Sequence, residues 1–517
     1  MILLRRLLLL LIVLLVGSPA SAQFSRVEST GDGTMTLTLA DTLFLNGQYD
    51  AARDTLERWI SSPGGQTAVN LYNRGVIARA AGQGTGLGWF RRAYQVSDER
   101  FRVSWALGQA LTESGSLVEG EGYLREAVDR DKGYYESSVA LGHNLRLQKR
   151  YDEALTAMRK TFGRDRTYVY AYTEVAKTCL EMSDTLSALQ ILHEGYAKFP
   201  YEQILIEMIR IHQGGNRADS VIVFGKEYLL LYPKGPNLKE IVADLRKADP
   251  GTNWHTTGTY DLHPFGPNGA PEDPQESLPI NTELQFKVRY GFIGIGDLRI
   301  DLLEGEYKGI PCWRARYVAR SAPALPFVTI ADTFYAYVDR QLRYTIRLEM
   351  HYHEMGYKAV KVYESDYENG IFESRIVFGN GLWMIQPHPL PPNVYDATSQ
   401  LWYAQQLIMV GKGGDCTVEL SGGFEKTIIQ NLGRDGTVKL NGQLRPQVKL
   451  AGIMHYAGIA GLTGEYQGWY SLSPVVWPMM AKFKIFLGWI TIEYQDHIPT
   501  PLPAGPSFQN TLINTPR

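Results

Sequence analysis

Between Phe101 and Tyr201 the small and the bulky apolar positions repeat at one interval. Gly108, Gly142 and Ala176 form one set, Gly120, Ala154 and Ala188 a second, Leu124, Met158 and Leu192 a third. Each set steps by 34 residues, a period that belongs to stacked helical hairpins. The small residues let the two helices of a hairpin approach closely, and the bulky ones fill the groove between hairpins. Upstream, Gly47, Tyr49 and Ala52 repeat the spacing of Tyr151 and Ala154. The frame gives units near 33–66, 67–100, 101–134, 135–168, 169–202 and 203–236. The second is irregular, with Gly82, Gly84, Gly86 and Gly88 crowding its turn, and the last turns at Gly214-Gly215-Asn216. Irregular end units are expected, because terminal repeats cap the stack.

Around Ala248 the helical pattern ends at Asp249-Pro250-Gly251. Residues 264–279 hold Gly266, Pro267, Gly269, Pro271 and Pro274 without an apolar period, which is a linker composition. From Leu278 the period becomes two. Leu284, Phe286, Val288 and Tyr290 alternate with polar residues, and after Gly291, Gly294 and Gly296 the alternation resumes at Leu298, Ile300 and Leu302. That pattern predicts a β-hairpin with one buried face. Further strands are expected at 313–319, 333–338, 344–352, 358–363, 371–378, 416–420, 425–430, 437–440 and 482–494. One helix interrupts them, over Ala397–Met409 with Asp396 as its N-cap. The fold class is α + β and multidomain: a helical solenoid, then an antiparallel, curved sheet or half-barrel with one helix. The boundaries fall at 1–22, 33–248, 249–277, 278–497 and a proline-rich tail, 498–517.

The first of these segments changes the picture of where the protein works. Arg5 and Arg6 precede an apolar run from Leu7 to Val16, and Ala20-Ser21-Ala22 is an A-x-A site. That is a secretory signal cleaved before Gln23, so the expected place is the periplasm, the outer envelope or outside the cell. The run is shorter than the ~20 residues of a membrane span, and no later run predicts a transmembrane helix. A formal net charge of -2 argues against nucleic acid as a partner. The three cysteines, Cys179, Cys312 and Cys416, leave at least one unpaired; Cys312 and Cys416 share the second half and are the pair to test. No zinc spacing exists among them.

Residues 33–236 resemble the tetratricopeptide-repeat superfamily. The second half resembles domain-of-unknown-function family 3108 over about 278–495. Four stretches carry this: the Leu284–Leu302 hairpin, Asp332-Thr333-Phe334-Tyr335-Ala336-Tyr337-Val338-Asp339, Tyr395-Asp396-Ala397-Thr398-Ser399-Gln400-Leu401-Trp402-Tyr403, and Trp477–Glu493 with Gly488-Trp489-Ile490. The chain departs from the pattern at 451–474, which is rich in Gly and Tyr. The resemblance implies a curved antiparallel β-domain akin to lipoprotein-carrier half-barrels, and it supplies no catalytic residues.

Candidate chemistry is sparse. The glycine run 82–88 joins two predicted helices and has no following Lys-Ser/Thr, so it is a turn and not a phosphate loop. His351 and His353 share one face of a predicted strand as two ligands would, but that face, with Thr345, Arg347 and Glu349, reads as solvated, and a zinc site needs further ligands. No G-x-S-x-G or H-E-x-x-H motif occurs. Trp383, Trp402, Tyr403, Trp477, Phe486 and Trp489 are the candidates for lining an apolar cavity in the β-domain. The expectation is therefore a non-catalytic envelope protein without a cofactor. Its repeats would offer a concave face to a protein partner, and its β-domain would bind a lipid, another apolar ligand or an envelope component. The alternatives are an enzyme with its site between array and sheet, centred on His351, His353 or Asp396, and a purely structural scaffold.

Overall fold

The computed structural model describes residues 35, 37–97, 100–130, 135–159, 161, 170–198, 201–254, 278–323, 329–354, 356–396, 398–420, 423–440, 442–454, 464–472, 475–485 and 488–499. Residues 1–34, which include the expected signal, residues 255–277 of the expected linker, residues 500–517 of the expected tail and Phe486 lie outside them. The chain divides into two compact units. One holds Thr38–Thr259 together with Arg375–Pro389; the other holds the remainder of the sheet region.

Thirteen described helices make the first unit. They are α1 (Leu39–Leu45), α2 (Tyr49–Ile60), α3 (Ala68–Ala80), α4 (Leu87–Val96), α5 (Arg100–Glu113), α6 (Leu117–Arg130), α7 (Tyr135–Leu147), α8 (Tyr151–Arg159), α9 (Tyr170–Glu181), α10 (Thr185–Lys198), α11 (Glu202–Gly214), α12 (Ala218–Leu231) and α13 (Leu238–Ala248). They pair as six hairpins plus a closing helix. The ladder of small residues is where the helices of a hairpin meet. A Cβ on Gly108 would lie 2.6 Å from Leu124 Cγ, and one on Gly142 would lie 2.3 Å from Met158 Cγ. The bulky ladder residues Leu124, Met158 and Leu192 are fully buried.

The described residues of the sheet region form fifteen strands: β1 (Thr282–Tyr290), β2 (Ile293–Tyr307), β3 (Ile310–Ser321), β4 (Ala331–Asp339), β5 (Thr345–Glu354), β6 (Tyr357–Asp366), β7 (Ile371–Phe378), β8 (Trp383–Pro389), β9 (Val394–Tyr395), β10 (Gly414–Leu420), β11 (Gly423–Leu440), β12 (Gln443–Met454), β13 (Gly464–Ser471), β14 (Trp477–Ile485) and β15 (Gly488–Pro499). Their order is β8-β7-β6-β5-β4-β3-β2-β1-β15-β14-β13-β12-β11-β10-β9, with β8 and β9 at the two ends, so the sheet is open. Within β1–β6 and within β10–β15 chain neighbours pair antiparallel, and β1 meets β15 through Thr282↔Pro499 to Tyr290↔Ile490. The short β9 pairs β10 in parallel.

Several elements differ from the sequence expectation. The run 482–494 is not one strand but the β14–β15 hairpin, folding back between Ile485 and Gly488. The runs at 425–430 and 437–440 are one strand, β11, whose register slips between Asn431 and Thr437. The helix that interrupts the strands, α14 (Gln400–Met409), starts after Ser399, and Ala397 lies outside the described residues. Asp396 caps the turn before it instead: its carboxylate accepts from Thr398 N at 2.6 Å, Ser399 N at 3.1 Å and Thr345 Oγ1 at 2.7 Å. These bonds fix a tight turn, and the helix begins only after it.

In the second unit α14 (Gln400–Met409) is buried along nearly its whole length. Gln405 Nε2 donates to the Val476 carbonyl at 2.6 Å and Gln406 Nε2 to the Gln341 carbonyl at 3.0 Å. Tyr317 Oη donates to the Thr398 carbonyl at 2.6 Å. These bonds satisfy polar groups among the apolar side chains of Tyr403, Leu407, Val418, Leu450 and Tyr470.

Candidate functional site

Residues 375–389 lie against the helical array and share its unit. Their array partners come from the first helix of a hairpin, or from the turn after α1. Three anchors decide the arrangement.

The first anchor is Trp383, which is 1% exposed. Its indole stacks on Phe44 of α1 with ring centroids 4.4 Å apart and an interplanar angle of 11°. Its Nε1 donates to Asp41 Oδ1 at 2.6 Å. Asp41 divides its two oxygens between two tasks. Oδ2 accepts from Thr38 N at 2.9 Å and Thr38 Oγ1 at 2.7 Å, which closes the capping box of α1. Burial pushes the Asp41 carboxyl pKa up, against the Thr38 and Trp383 hydrogen bonds that hold it down.

The second anchor is Asn73 of α3. Its Nδ2 donates to the Gly381 carbonyl and its Oδ1 accepts from Trp383 N, both at 2.9 Å. One amide side chain thus holds the main chain on either side of Leu382. Between them Gly381, at φ +81°, would place a Cβ 3.2 Å from Val69 Cγ1. A side chain there would be strained by the backbone conformation and tight against Val69.

The third anchor is the far end of the segment. Tyr170 Oη of α9 and His388 Nδ1 are hydrogen-bonded at 2.9 Å. Burial pushes the His388 imidazole down to about 4. Between these ends the Arg102 guanidinium of α5 sits 3.8 Å from the Phe378 ring centroid. Arg375 Nη1 fills the space a Cβ would take on Gly47. Together these contacts hold a polypeptide segment by its backbone and by one indole.

The other sequence candidates are dispersed. Trp402 and Tyr403 are 1% exposed on α14, and Tyr403 Oη donates to the Asp415 carbonyl at 2.9 Å. Trp477 is half-buried, edge-on to Tyr494 at 6.2 Å and His497 at 5.0 Å. Trp489 is half-buried on β15. Trp383 lies in the other unit, on Phe44.

His351 Nε2 is 2.7 Å from Glu349 Oε1, and Arg347 Nη2 donates to Glu349 Oε2 at 3.0 Å. Burial raises the Glu349 carboxyl, but the His351 hydrogen bond and the Arg347 charge outweigh it and hold the group at about 2. The β5 face expected to be solvated is therefore covered over Thr345, Arg347 and Glu349, and ion pairing makes that burial tolerable. Beside it, Asp332 is 1% exposed and its Oδ1 accepts from His353 N at 2.8 Å. Burial first, and then the neighbouring Glu354 carboxyl, push the Asp332 pKa up. Among the described residues no group of three or more His, Cys, Asp or Glu side chains could hold a metal ion. The cysteines are all free and buried; Cys312 and Cys416 fall in separate core clusters.

The sequence did not point to the Trp383 anchor as an array contact. Asn380-Gly381 was the available signal for the turn before it, since that dipeptide favours a tight hairpin.

The family described as "Protein of unknown function (DUF3108)" matches residues 285–445. No curated protein matches the chain. Solved structures similar to the helical region include MamA, at 14% identity over 32% of this chain and 95% of that one, with a TM-score of 0.29. YrrB, "a TPR protein with an unusual peptide-binding site", is similar at 18% identity over 32% and 85%, with a TM-score of 0.29. A tetratricopeptide repeat protein from Parabacteroides merdae is similar at 14% over 41% and 81%, with a TM-score of 0.35. The class is an array of paired helices followed in the chain by an open, mostly antiparallel sheet. In this chain the sheet region carries the DUF3108 match. No helix among the described residues is long and apolar enough to cross a membrane.

Proposed function

We propose that this protein is an exported, non-catalytic scaffold of the cell envelope, and that its helical array binds polypeptide segments on the first-helix face. One observation carries the reading: the paired hydrogen bonds of Asn73 to the Gly381 carbonyl and the Trp383 amide. A side chain that grips main chain on both sides of a residue reads a polypeptide as such, whatever its side chains. Export rests on the signal features at Arg5, Arg6, Leu7–Val16 and Ala20-Ser21-Ala22, and a mature N-terminus at Gln23 is its check.

The test is titration of the full chain with a panel of labelled peptides. Binding should weaken at least tenfold on Asn73→Ala, in the first helix α3. It should not change on Val118→Ala or Leu186→Ala, which are 78% and 79% exposed on the second helices α6 and α10. The opposite pattern would sink the reading.

For the sheet unit we propose docking within the envelope. An apolar-ligand role is the second reading, favoured by the half-buried Trp477 beside Tyr494 and His497. Native mass spectrometry separates the two: co-purifying lipid that Trp477→Ala removes supports the ligand role, and a clean spectrum supports docking.

A further inference from the structure

We infer that residues 378–388 are a resident ligand of the first-helix face, and that the partner which displaces them is a polypeptide presenting an indole two residues after a glycine. The inference rests on the polypeptide-binding reading above and names the partner's chemistry.

The anchors define what an incoming chain must offer. Asn73 requires a carbonyl at one position and an N–H two residues later. The left-handed φ of +81° at residue 381, with Val69 Cγ1 only 3.2 Å from where a Cβ would sit, favours glycine at the first. At the second, Asp41 Oδ1 is a buried acceptor placed 2.6 Å from an indole nitrogen, and Phe44 is the stacking surface. Phenylalanine would fill the space but take the indole donor from Asp41 Oδ1, leaving the carboxylate only its Thr38 bonds on Oδ2. Tryptophan supplies both the ring and the N–H.

The resident segment holds this site at a disadvantage. It buries His388 Nε2, which has no hydrogen-bond partner among the described residues. Unmet polar burial subtracts from the apolar gain. Strand β8 also stands at the end of the strand order, so its release breaks pairing on one side only. A partner that repeats the glycine and indole contacts without the His388 end therefore competes by mass action.

The probe is a labelled peptide copying residues 376–389, used with the full chain. Trp383→Ala should bind it at least tenfold more tightly than the natural chain, because its anchor site is vacated. Adding Asn73→Ala should reverse that gain, and a peptide with Ala for Trp should not bind. Equal affinity of the natural chain and Trp383→Ala would overturn the inference, as would binding indifferent to Asn73 or to the peptide's Trp. If Trp383→Ala does not fold, hydrogen exchange on the natural chain decides: excess peptide should speed exchange of the Trp383 amide at least tenfold, and an unchanged rate overturns the inference. Peptides that protect first helices while that amide stays protected would leave the polypeptide-binding reading standing and remove this one. A dimer formed by Trp383→Ala would mean exchange between copies and would also overturn it.

Discussion

Asn73 holds the main chain of the Trp383 segment at two points, donating to the Gly381 carbonyl and accepting from the Trp383 amide, each at 2.9 Å. The relationship is reciprocal: the same bonds leave the buried amide of Asn73 with both ends met. Asn73→Ala should lower array stability by about 1–3 kcal/mol, the cost of leaving buried main-chain groups unmet. Denaturant unfolding of the array unit measures it, and a change within error would show that water replaces the side chain.

Trp383→Ala should cost more, about 3–5 kcal/mol, because it removes a fully buried indole as well as the hydrogen bond to Asp41. Trp383→Phe should recover part of the loss but not the Asp41 bond. Equal stability of the two variants would contradict the role given to the indole N–H.

The segment's far end gives a pH dependence. The His388 imidazole is held down at about 4, so the folded array favours its neutral form. Its contribution is fully present above the free-histidine value of about 6.5 and is lost as the pH falls through about 4. Protection of the Trp383 amide against hydrogen exchange, corrected for intrinsic rates, should fall between pH 6.5 and 4, and His388→Gln should flatten the fall. An identical slope in both proteins would rule His388 out.

Asp332 acts in the opposite direction. Burial and Glu354 push its carboxyl up to about 8. Its stabilising contribution is full below the ordinary carboxylate value of about 4 and is lost as the pH rises through about 8. The melting temperature of the sheet unit should decline across that window, and Asp332→Asn should flatten the decline while keeping the bond from His353 N. The same decline in the variant would assign it elsewhere.

What was legible in the chain follows from what each feature depends on. The Gly108, Gly142 and Ala176 ladder was readable because helix spacing is a local, repeated demand, and Gly142 shows its severity: a Cβ there would meet Met158 at 2.3 Å. The alternation around Leu284–Leu302 was readable for the same reason, since one strand face is buried. The β14–β15 turn was not, because apolar residues run through it on both sides and only Gly488, at φ +125°, marks the reversal. The burial of Arg347 and Glu349 was hidden, because opposite charges two residues apart on one strand face read as a solvated face, and the pairing that lets them be buried shows only in the fold. Trp383 was seen as a candidate ligand-binding residue of the β-domain. Its partners Asp41, Phe44 and Asn73 are more than 300 residues away, and no period links them to it.

The most direct test of the central claim is a hydrogen-exchange footprint of the full chain with a saturating bound peptide. Slower exchange confined to the first helices α1, α3, α5 and α9 is the predicted result. Protection on the second helices α2, α4, α6 and α10, or on the sheet strands alone, would contradict the assignment of the first-helix face as the polypeptide-binding surface.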